Sequence, residues 1–312
     1  MNLAIGIDLG GTSIKYSLTD PGGQITWRGT RPTEASKSGE RVFENLKSCI
    51  EDAVGHASET NDTVLGIGVG IPGIVEDGIL VGGANNIPDW EMVPVKRVLE
   101  KEFNSPTFVE NDANLMGLAE SRFGSARDAT DIIFVTIGTG IGGAMILNGK
   151  IYGGYHNRGG EFGHIIIQKD GRPCSCGARG CFEAYASVNA LINDYRDLAN
   201  DDPVDRDLEI DGKLIVRRYL EKDERAIQAL NNHFDYMAVG IGSLINIFGP
   251  EKVVLGGGIT EAGDLYIENI RQRVFSIAMK ETSENTGIVR ASLGNDAGML
   301  GASILVFDNV PV

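Results

Sequence analysis

Between Gly160 and Glu183 the chain concentrates side chains that bind metals and polar ligands. The segment reads Glu161-Phe162-Gly163-His164, then Cys174-Ser175-Cys176-Gly177, then Gly180-Cys181-Phe182-Glu183. One histidine and three of the chain's four cysteines fall within eighteen residues, spaced His-x9-Cys-x-Cys-x4-Cys. Three thiolates and an imidazole are the tetrahedral donor set of a structural zinc, and a closed set of four leaves no open position for catalysis. His164, Cys174, Cys176 and Cys181 are therefore the expected metal ligands. Glu161 and Glu183 are surplus to that set, so a zinc-braced loop would present two carboxylates to another ligand. The alternative is a disulfide plus a spare thiol. Cys174 and Cys176 are too close to pair easily with each other, and nothing in the sequence looks secreted.

Two glycine turns form a second candidate centre. Gly10-Gly11-Thr12 follows Asp8 at the end of an apolar run, and Gly138-Thr139-Gly140-Ile141-Gly142-Gly143 follows another. Gly138, Gly140 and Gly143 match G-x-G-x-x-G in form, but a dinucleotide site needs a helix straight after the turn, and here a strand follows. Backbone N–H groups in such turns make concave anion sites, to which Thr12 and Thr139 add hydroxyl donors. Two turns of this type suit a nucleotide whose phosphates are gripped from both sides of a cleft. Asp8 is placed to hold magnesium through its water shell. Lys15 is counted with the nucleotide-binding residues. The alternative is a pair of tight hairpins with no ligand.

The elements that must carry these residues follow from pattern. Strands are expected at Leu3–Asp8, Ser13–Thr19, Gln24–Thr30, Val64–Val69 and Thr107–Glu110, and helices at Glu40–Ser58, Val93–Phe103 and Asn114–Phe123. The pattern then restarts with a strand at Asp131–Thr136, the glycine turn to Gly143, a strand at Ala144–Leu147, the turn Asn148-Gly149, and a strand at Lys150–Tyr152. Each half opens with strand, glycine turn and antiparallel strands, which points to an internal duplication with a cleft between the halves. Helices are expected near Glu183–Ala199, Glu224–Phe248 and Ala297–Phe307, with Asp201–Asp211 as a solvated loop. A strand at Lys252–Leu255 ends in Gly256-Gly257-Gly258. Asp112 follows a strand end and precedes a helix, which fits a catalytic base facing the cleft. It also fits a helix N-cap, although Asn114 reads as the better cap.

The turns Asp8-Leu9-Gly10-Gly11-Thr12, Gly138–Gly143 and Gly256-Gly257-Gly258 resemble those of the actin-like ATPase fold of sugar kinases. Adding Glu161-Phe162-Gly163-His164 and the cysteine cluster, the chain resembles the ROK family of repressors, open reading frames and kinases over nearly its whole length. The repressor branch carries a DNA-binding helix-turn-helix before the first strand. Only Met1 and Asn2 stand there, so the resemblance is to the kinase branch. It implies an α/β architecture of two actin-like (ribonuclease H-like) domains with an interdomain cleft and a structural zinc loop. The small domain would span 1–115 plus the C-terminal helix 297–312, and the large domain 116–296 with the zinc segment. It implies ATP-dependent phosphorylation of a hexose, most simply glucose to glucose 6-phosphate, with Asp112 as catalytic base and magnesium on the phosphates. Asn85, Asn111, Asp112, Glu161, His164 and Glu183 would contact the sugar, His164 using one ring nitrogen for zinc and the other for the sugar. Gly256, Gly257 and Gly258 would lie against the adenosine. Rival substrates are N-acetylmannosamine, N-acetylglucosamine, mannose, allose and fructose, and a non-catalytic sugar-sensing regulator is the rival from another class. One departure stands out: His156-Asn157-Arg158-Gly159-Gly160 precedes Glu161 where many relatives carry a smaller Gly/Ala-rich loop.

The composition sets outer bounds. A chain of 312 residues, 42% hydrophobic and 23% charged, is long enough for two domains. The net charge of −15, from 28 basic and 43 acidic residues, opposes nucleic-acid binding, and no run of Lys or Arg offsets it. No apolar run approaches the roughly 18 to 20 residues of a membrane span, and the N-terminus lacks the features of a signal peptide. A cytoplasmic protein is expected, without nucleic-acid or membrane partners, and as a homodimer or homotetramer. Glycine, at 42 residues, is about twice its usual share.

Overall fold

Apolar character from Leu3 to Ile7 makes a strand buried on both faces, as the central strand of a covered sheet requires. The computed structural model describes residues 1–84, 87–199 and 209–311. It places β1 (Asn2–Leu9) at the centre of a five-stranded sheet ordered β3-β2-β1-β4-β7. The partners are β2 (Ser13–Thr19), β3 (Ile25–Pro32), β4 (Thr63–Ile71) and β7 (Thr107–Asn111). β1, β2 and β3 pair antiparallel, whereas β1 with β4 and β4 with β7 pair parallel. Between β3 and β4 runs α1 (Gly39–Glu59), capped by the Ser38 hydroxyl, which accepts from the Arg41 N–H at 3.1 Å. Its buried stripe of Val42, Leu46, Cys49, Ile50 and Ala53 has the helical period expected from sequence. A small hairpin of β5 (Ile74–Glu76) and β6 (Ile79–Gly82) and the helix α2 (Val95–Phe103) precede β7, and α3 (Asp112–Arg122) follows it directly.

The second half repeats this plan. β8 (Ile132–Ile137), β9 (Ile141–Leu147) and β10 (Lys150–Ile151) are followed by α4 (Glu183–Ala186), α5 (Val188–Ala199), α6 (Gly212–Leu220) and α7 (Glu224–Phe248). Then come β11 (Lys252–Gly256), α8 (Asp264–Ile277), α9 (Lys280–Ser283), β12 (Gly287–Arg290) and α10 (Ala297–Asn309). The second sheet is ordered β10-β9-β8-β11-β12, the same sequence of roles as in the first, and β8, β11 and β12 run parallel. The internal duplication is thus visible in topology. The chain forms two compact units: residues 1–127, 144–160 and 293–312 make one, and 128–143 and 161–292 the other.

Several boundaries differ from the sequence expectation. The strand expected from Ala144 begins at Ile141, so the second glycine turn is confined to Gly138–Gly140. The helix expected over Glu183–Ala199 breaks at Ser187, which is extended (ψ 165°). Its hydroxyl accepts the Ala190 N–H at 3.1 Å and so starts α5 afresh. Val93 pairs with Leu80 in an isolated bridge rather than starting α2. Of the loop expected at Asp201–Asp211, residues 201–208 lie outside the described residues, and Asp211 caps α6 by accepting the Leu214 N–H at 2.7 Å. Part of the glycine surplus serves packing rather than turning. A Cβ on Gly6 would lie 2.1 Å from the Met299 carbonyl oxygen, and one on Gly68 would lie 1.9 Å from that of Ala302. Only bare backbone on β1 and β4 lets α10 lie that close. None of the described helices is long and apolar enough to cross a membrane.

Candidate active site

The first glycine turn joins β1 to β2 and is closed by the Gly10 N–H donating to the Ser13 carbonyl at 3.0 Å. Thr33 pins it from outside, its N–H on the Thr12 carbonyl (3.0 Å) and its hydroxyl on the Gly10 carbonyl (2.6 Å). Gly11 and Thr12 stay exposed at the tip. Asp8 lies on β1 opposite Lys15 of β2, and α10 closes over it: a Cβ on Gly298 would fall 2.5 Å from the Asp8 carboxyl carbon. Burial raises the Asp8 pKa, and Lys15 opposes that rise. Lys15 donates to the Asn295 amide oxygen at 3.0 Å.

Asp112 is the first residue of α3, immediately after β7. The cap is Asn111 rather than Asn114, because the extended Asn111 backbone (ψ 140°) turns its Oδ1 onto the Asn114 N–H at 3.1 Å. The other end of the Asn111 amide donates to the Gly73 carbonyl at 3.0 Å, so both of its polar ends are engaged. Asp112 Oδ1 accepts the N–H of Ala113 at 2.8 Å. Glu110, which sequence reading passed over as a strand residue, accepts from the Asn111 N–H and from the Asn114 side chain. Only its adjacency to Asn111-Asp112 could have flagged it.

The other compact unit assembles the second turn, the Glu161–His164 segment and the cysteine loop. The turn closes through the Gly138 N–H on the Gly140 carbonyl at 2.9 Å. Glu161 leads into a 3-10 turn, Phe162–His164, whose Gly163 backs onto the Ile141 carbonyl so closely that a Cβ there would be 2.2 Å away. Glu161 itself is exposed. The Glu183 carboxylate ties the parts together. It accepts the Ile141 N–H at 3.0 Å and the Ser175 hydroxyl at 3.3 Å, linking the glycine turn to the cysteine loop. This role is not visible in the spacing of residues 42 apart.

His164, Cys174, Cys176 and Cys181 present ligand atoms that all lie within 4.8 Å of one another. Cys176 and Cys181 sulfurs are 3.7 Å apart, and His164 Nδ1 is 3.6 Å from the Cys174 sulfur. Tetrahedral coordination at about 2.3 Å to sulfur and 2.0–2.1 Å to nitrogen sets separations of about 3.5–3.8 Å, which these two pairs match, and three thiols with an imidazole are the donor types such a metal takes. All four cysteines are free thiols in this structure. The Ala178 backbone N–H lowers the Cys176 pKa, whereas burial pushes the neighbouring Cys181 thiol up to about 12, so a metal would have to displace the Cys181 proton. Because Nδ1 faces the Cys174 sulfur, Nε2 of His164 is the nitrogen left for another ligand.

Gly257 (φ 96°) brings the third glycine turn against the second: a Cβ there would sit 2.0 Å from the Ile137 carbonyl oxygen. Beside them opens a cavity of about 250 Å³ lined by Gly138, Thr139, Asn189, Gly212, Lys213 and Gly258. An adjoining pocket of about 230 Å³, walled by Val216, Ile259 and Ala262, is more apolar. Asn189, Gly212, Lys213 and Ile259 had not been singled out from sequence. They come from α5, α6 and the turn after β11 and meet only on folding.

Residues 4–309 match the ROK family. The chain belongs to that family. A glucokinase from Halalkalibacterium halodurans is 31% identical over 311 residues, covering 97% of this chain and 94% of the relative. A putative xylose repressor from a Caldicellulosiruptor species is 32% identical over 318 residues, covering 99% of this chain and 79% of the relative. Among solved structures, a ROK family glucokinase from Streptomyces griseus in complex with glucose and AMPPNP aligns with a TM-score of 0.81 at 31% identity, covering 97% of this chain and 98% of that one. The α/β fold is that of ROK sugar kinases. ROK relatives thus include both kinases and repressors, and the sugar is not decided by family membership. Of the ROK site residues expected from sequence, Asn85 lies outside the described residues.

Proposed function

We propose that this ROK protein is an ATP-dependent hexose kinase acting on glucose. The observation that carries the reading is the Glu183 bridge. One carboxylate joins the glycine turn, which lines a cavity suited to a nucleotide, to the loop carrying Glu161 and His164. Transfer of a phosphoryl group from nucleotide to sugar needs the two binding elements held in fixed register, which that joint supplies. Glucokinase relatives that match almost end to end support the same choice.

The chemistry follows from the residues. The sugar hydroxyl oxygen forms its bond to the γ-phosphorus of ATP as the bond to the ADP oxygen breaks, and the hydroxyl proton passes to Asp112. A sugar hydroxyl is a weak acid, so that transfer comes late and Asp112 orients the oxygen as much as it deprotonates it. Glu161, Glu183 and His164 Nε2 recognise hydroxyls by charge-assisted bonds. Glu183 accepts from the Ile141 N–H and the Ser175 hydroxyl, with the Cys174 sulfur a longer 4.0 Å from Oε1, and offers its remaining acceptor capacity to the sugar. The backbone turns at Gly10–Thr12 and Gly138–Gly140 offer N–H donors to phosphates, with the three glycines from Gly256 beside the nucleoside. Asp8, a desolvated carboxylate, would hold magnesium, which neutralises phosphate charge when bound. His164, Cys174, Cys176 and Cys181 would hold zinc, whose contribution is to fix the loop.

A sugar-responsive regulator is the second reading, favoured by the repressor relative. ADP release from ATP and magnesium across glucose, mannose, fructose, allose, N-acetylglucosamine and N-acetylmannosamine separates the two. Turnover is expected to be fastest on glucose. Asp112→Asn should lower kcat by about 10²–10⁴-fold while glucose still binds. Turnover on none of the six, with glucose bound, would hand the chain to the regulator reading.

A further inference from the structure

The segment from Gly154 to Gly159 is exposed except at one residue. Asn157 alone is drawn in, and it stands in the left-handed region (φ 56°) next to His156, also left-handed (φ 54°). Two consecutive non-glycine residues in that region persist only where their surroundings hold them. Two carboxylates of the same compact unit do so. Glu76, on β5, takes His156 Nδ1 on one oxygen and Arg158 on the other, with Nη2 at 2.6 Å and Nε at 3.1 Å. Glu110, the last residue before Asn111, takes the Asn157 amide on both oxygens, at 2.9 and 3.0 Å. The same amide nitrogen also reaches the Val75 carbonyl at 2.9 Å.

The other contacts of Glu110 bracket Asp112 in the chain. Its Oε1 accepts the Asn111 N–H at 2.8 Å, one residue before Asp112, and the Asn114 side-chain amide at 3.0 Å, two residues after. One carboxylate thereby holds the entry to α3 from both sides, and Asn157 holds that carboxylate. The placement is not what helix capping requires, because Asn111 already supplies the cap.

We propose that Glu110 is a positioning residue for Asp112, and that Asn157 from the segment 154–159 locks it in place. The catalytic role of Asp112 rests on the kinase reading; the coupling of Asn157 through Glu110 to the start of α3 does not. A catalytic carboxylate displaced by about an ångström forfeits on the order of 10²-fold in rate, so loosening this lock lowers kcat more than it lowers substrate binding.

Two variants of the full chain test it. Asn157→Gly keeps the left-handed backbone at no steric cost and removes only the amide. Asn157→Asp sets a second carboxylate against Glu110, beside the charged groups Glu76, His156 and Arg158. With melting temperatures near the wild-type value, kcat is expected to fall by about 3–10-fold for Asn157→Gly and about 10–100-fold for Asn157→Asp at pH 8, with KM for ATP unchanged. The Asn157→Asp deficit should shrink as pH is lowered, because a proton shared by the two carboxylates restores a donor. The double variant Glu110→Gln/Asn157→Asp, which exchanges donor and acceptor between the two side chains but leaves the Val75 carbonyl without its donor, should regain part of the activity at pH 8. Amide exchange over residues 111–115 should quicken in both single variants. Wild-type kcat and exchange in both single variants would overturn the proposal, as would a loss that follows melting temperature and ignores pH. If the wild type phosphorylates no hexose, the kinase reading falls, and the exchange measurement still decides whether Asn157 fixes the start of α3.

Discussion

Asp112 begins α3 because Asn111 spends its side-chain oxygen on the Asn114 N–H and its amide on Gly73, leaving the next carboxylate at the first helical position. The residue types around it are ordinary; their bonding is not visible in composition. His233 shows the same point where no reaction is involved. It is buried within α7, with Nε2 2.6 Å from the Tyr266 hydroxyl and Nδ1 without a hydrogen-bond partner among the described residues. Burial pulls its pKa from 6.5 down to about 3. The folded state therefore keeps His233 neutral while the unfolded chain takes up a proton below about pH 6.5. That stability is present above the unfolded value and is lost as pH falls towards 3. Each pH unit in that window costs up to about 1.4 kcal/mol. Between pH 7 and 5 the unfolding free energy of the wild type should fall by about 2 kcal/mol more than that of His233→Gln, measured by urea denaturation. Equal slopes would show that His233 titrates normally in the folded state.

At the level of elements, the cysteine loop lacks regular structure of its own, apart from isolated bridges such as Ile166 with Cys181 and Pro173 with Arg179. A loop of this kind needs a cross-link to hold Glu161 and His164 in register, and four convergent ligand atoms supply the place for one. Atomic emission on the purified protein is expected to find one zinc per chain. Cys176→Ser should lose it, and the apparent Kd for glucose should rise by about 10–100-fold. Full glucose affinity in a metal-free variant would break the proposed link between the loop and the sugar. The clustering of His164 with the three cysteines was legible because residue type and spacing are local. The split of α4 from α5 at Ser187 was not, since the Val188 N–H bonds to the Gly138 carbonyl, 50 residues away in the chain. The unread α8 does carry a helical stripe, Tyr266, Ile267, Ile270 and Val274, which the sequence reading left unassigned.

On the scale of the whole molecule, the chain passes four times between its two compact units, which draw on three segments and two. The last segment completes the first unit. In α10, nine residues from Ala297 to Val306 are buried, and the strand glycines Gly6 and Gly68 admit its backbone directly. A chain ending at residue 292 should therefore leave β1 and β4 without their covering helix. Their amides, protected in the full chain, are expected to exchange at nearly unfolded rates. Retained protection in the truncated chain would show that the first sheet is stable without α10.

The sequence alone determined what depends on neighbours in the chain: the duplicated strand–glycine-turn plan, the Cys3His set, the membership that Glu161-Phe162-Gly163-His164 and the cysteine spacing announce, and the Asn111-Asp112 pair. These are short-range properties of backbone geometry and ligand type. Only the tertiary structure decided that Asn111 is the cap, that Glu183 joins the glycine turn to the metal loop, that Gly212 and Lys213 meet Gly138 at one cavity, and that Asn157 reaches Glu110. Each of those depends on contacts between residues tens of positions apart, where hydrogen-bond partners are chosen by packing and spacing along the chain carries no record of the choice.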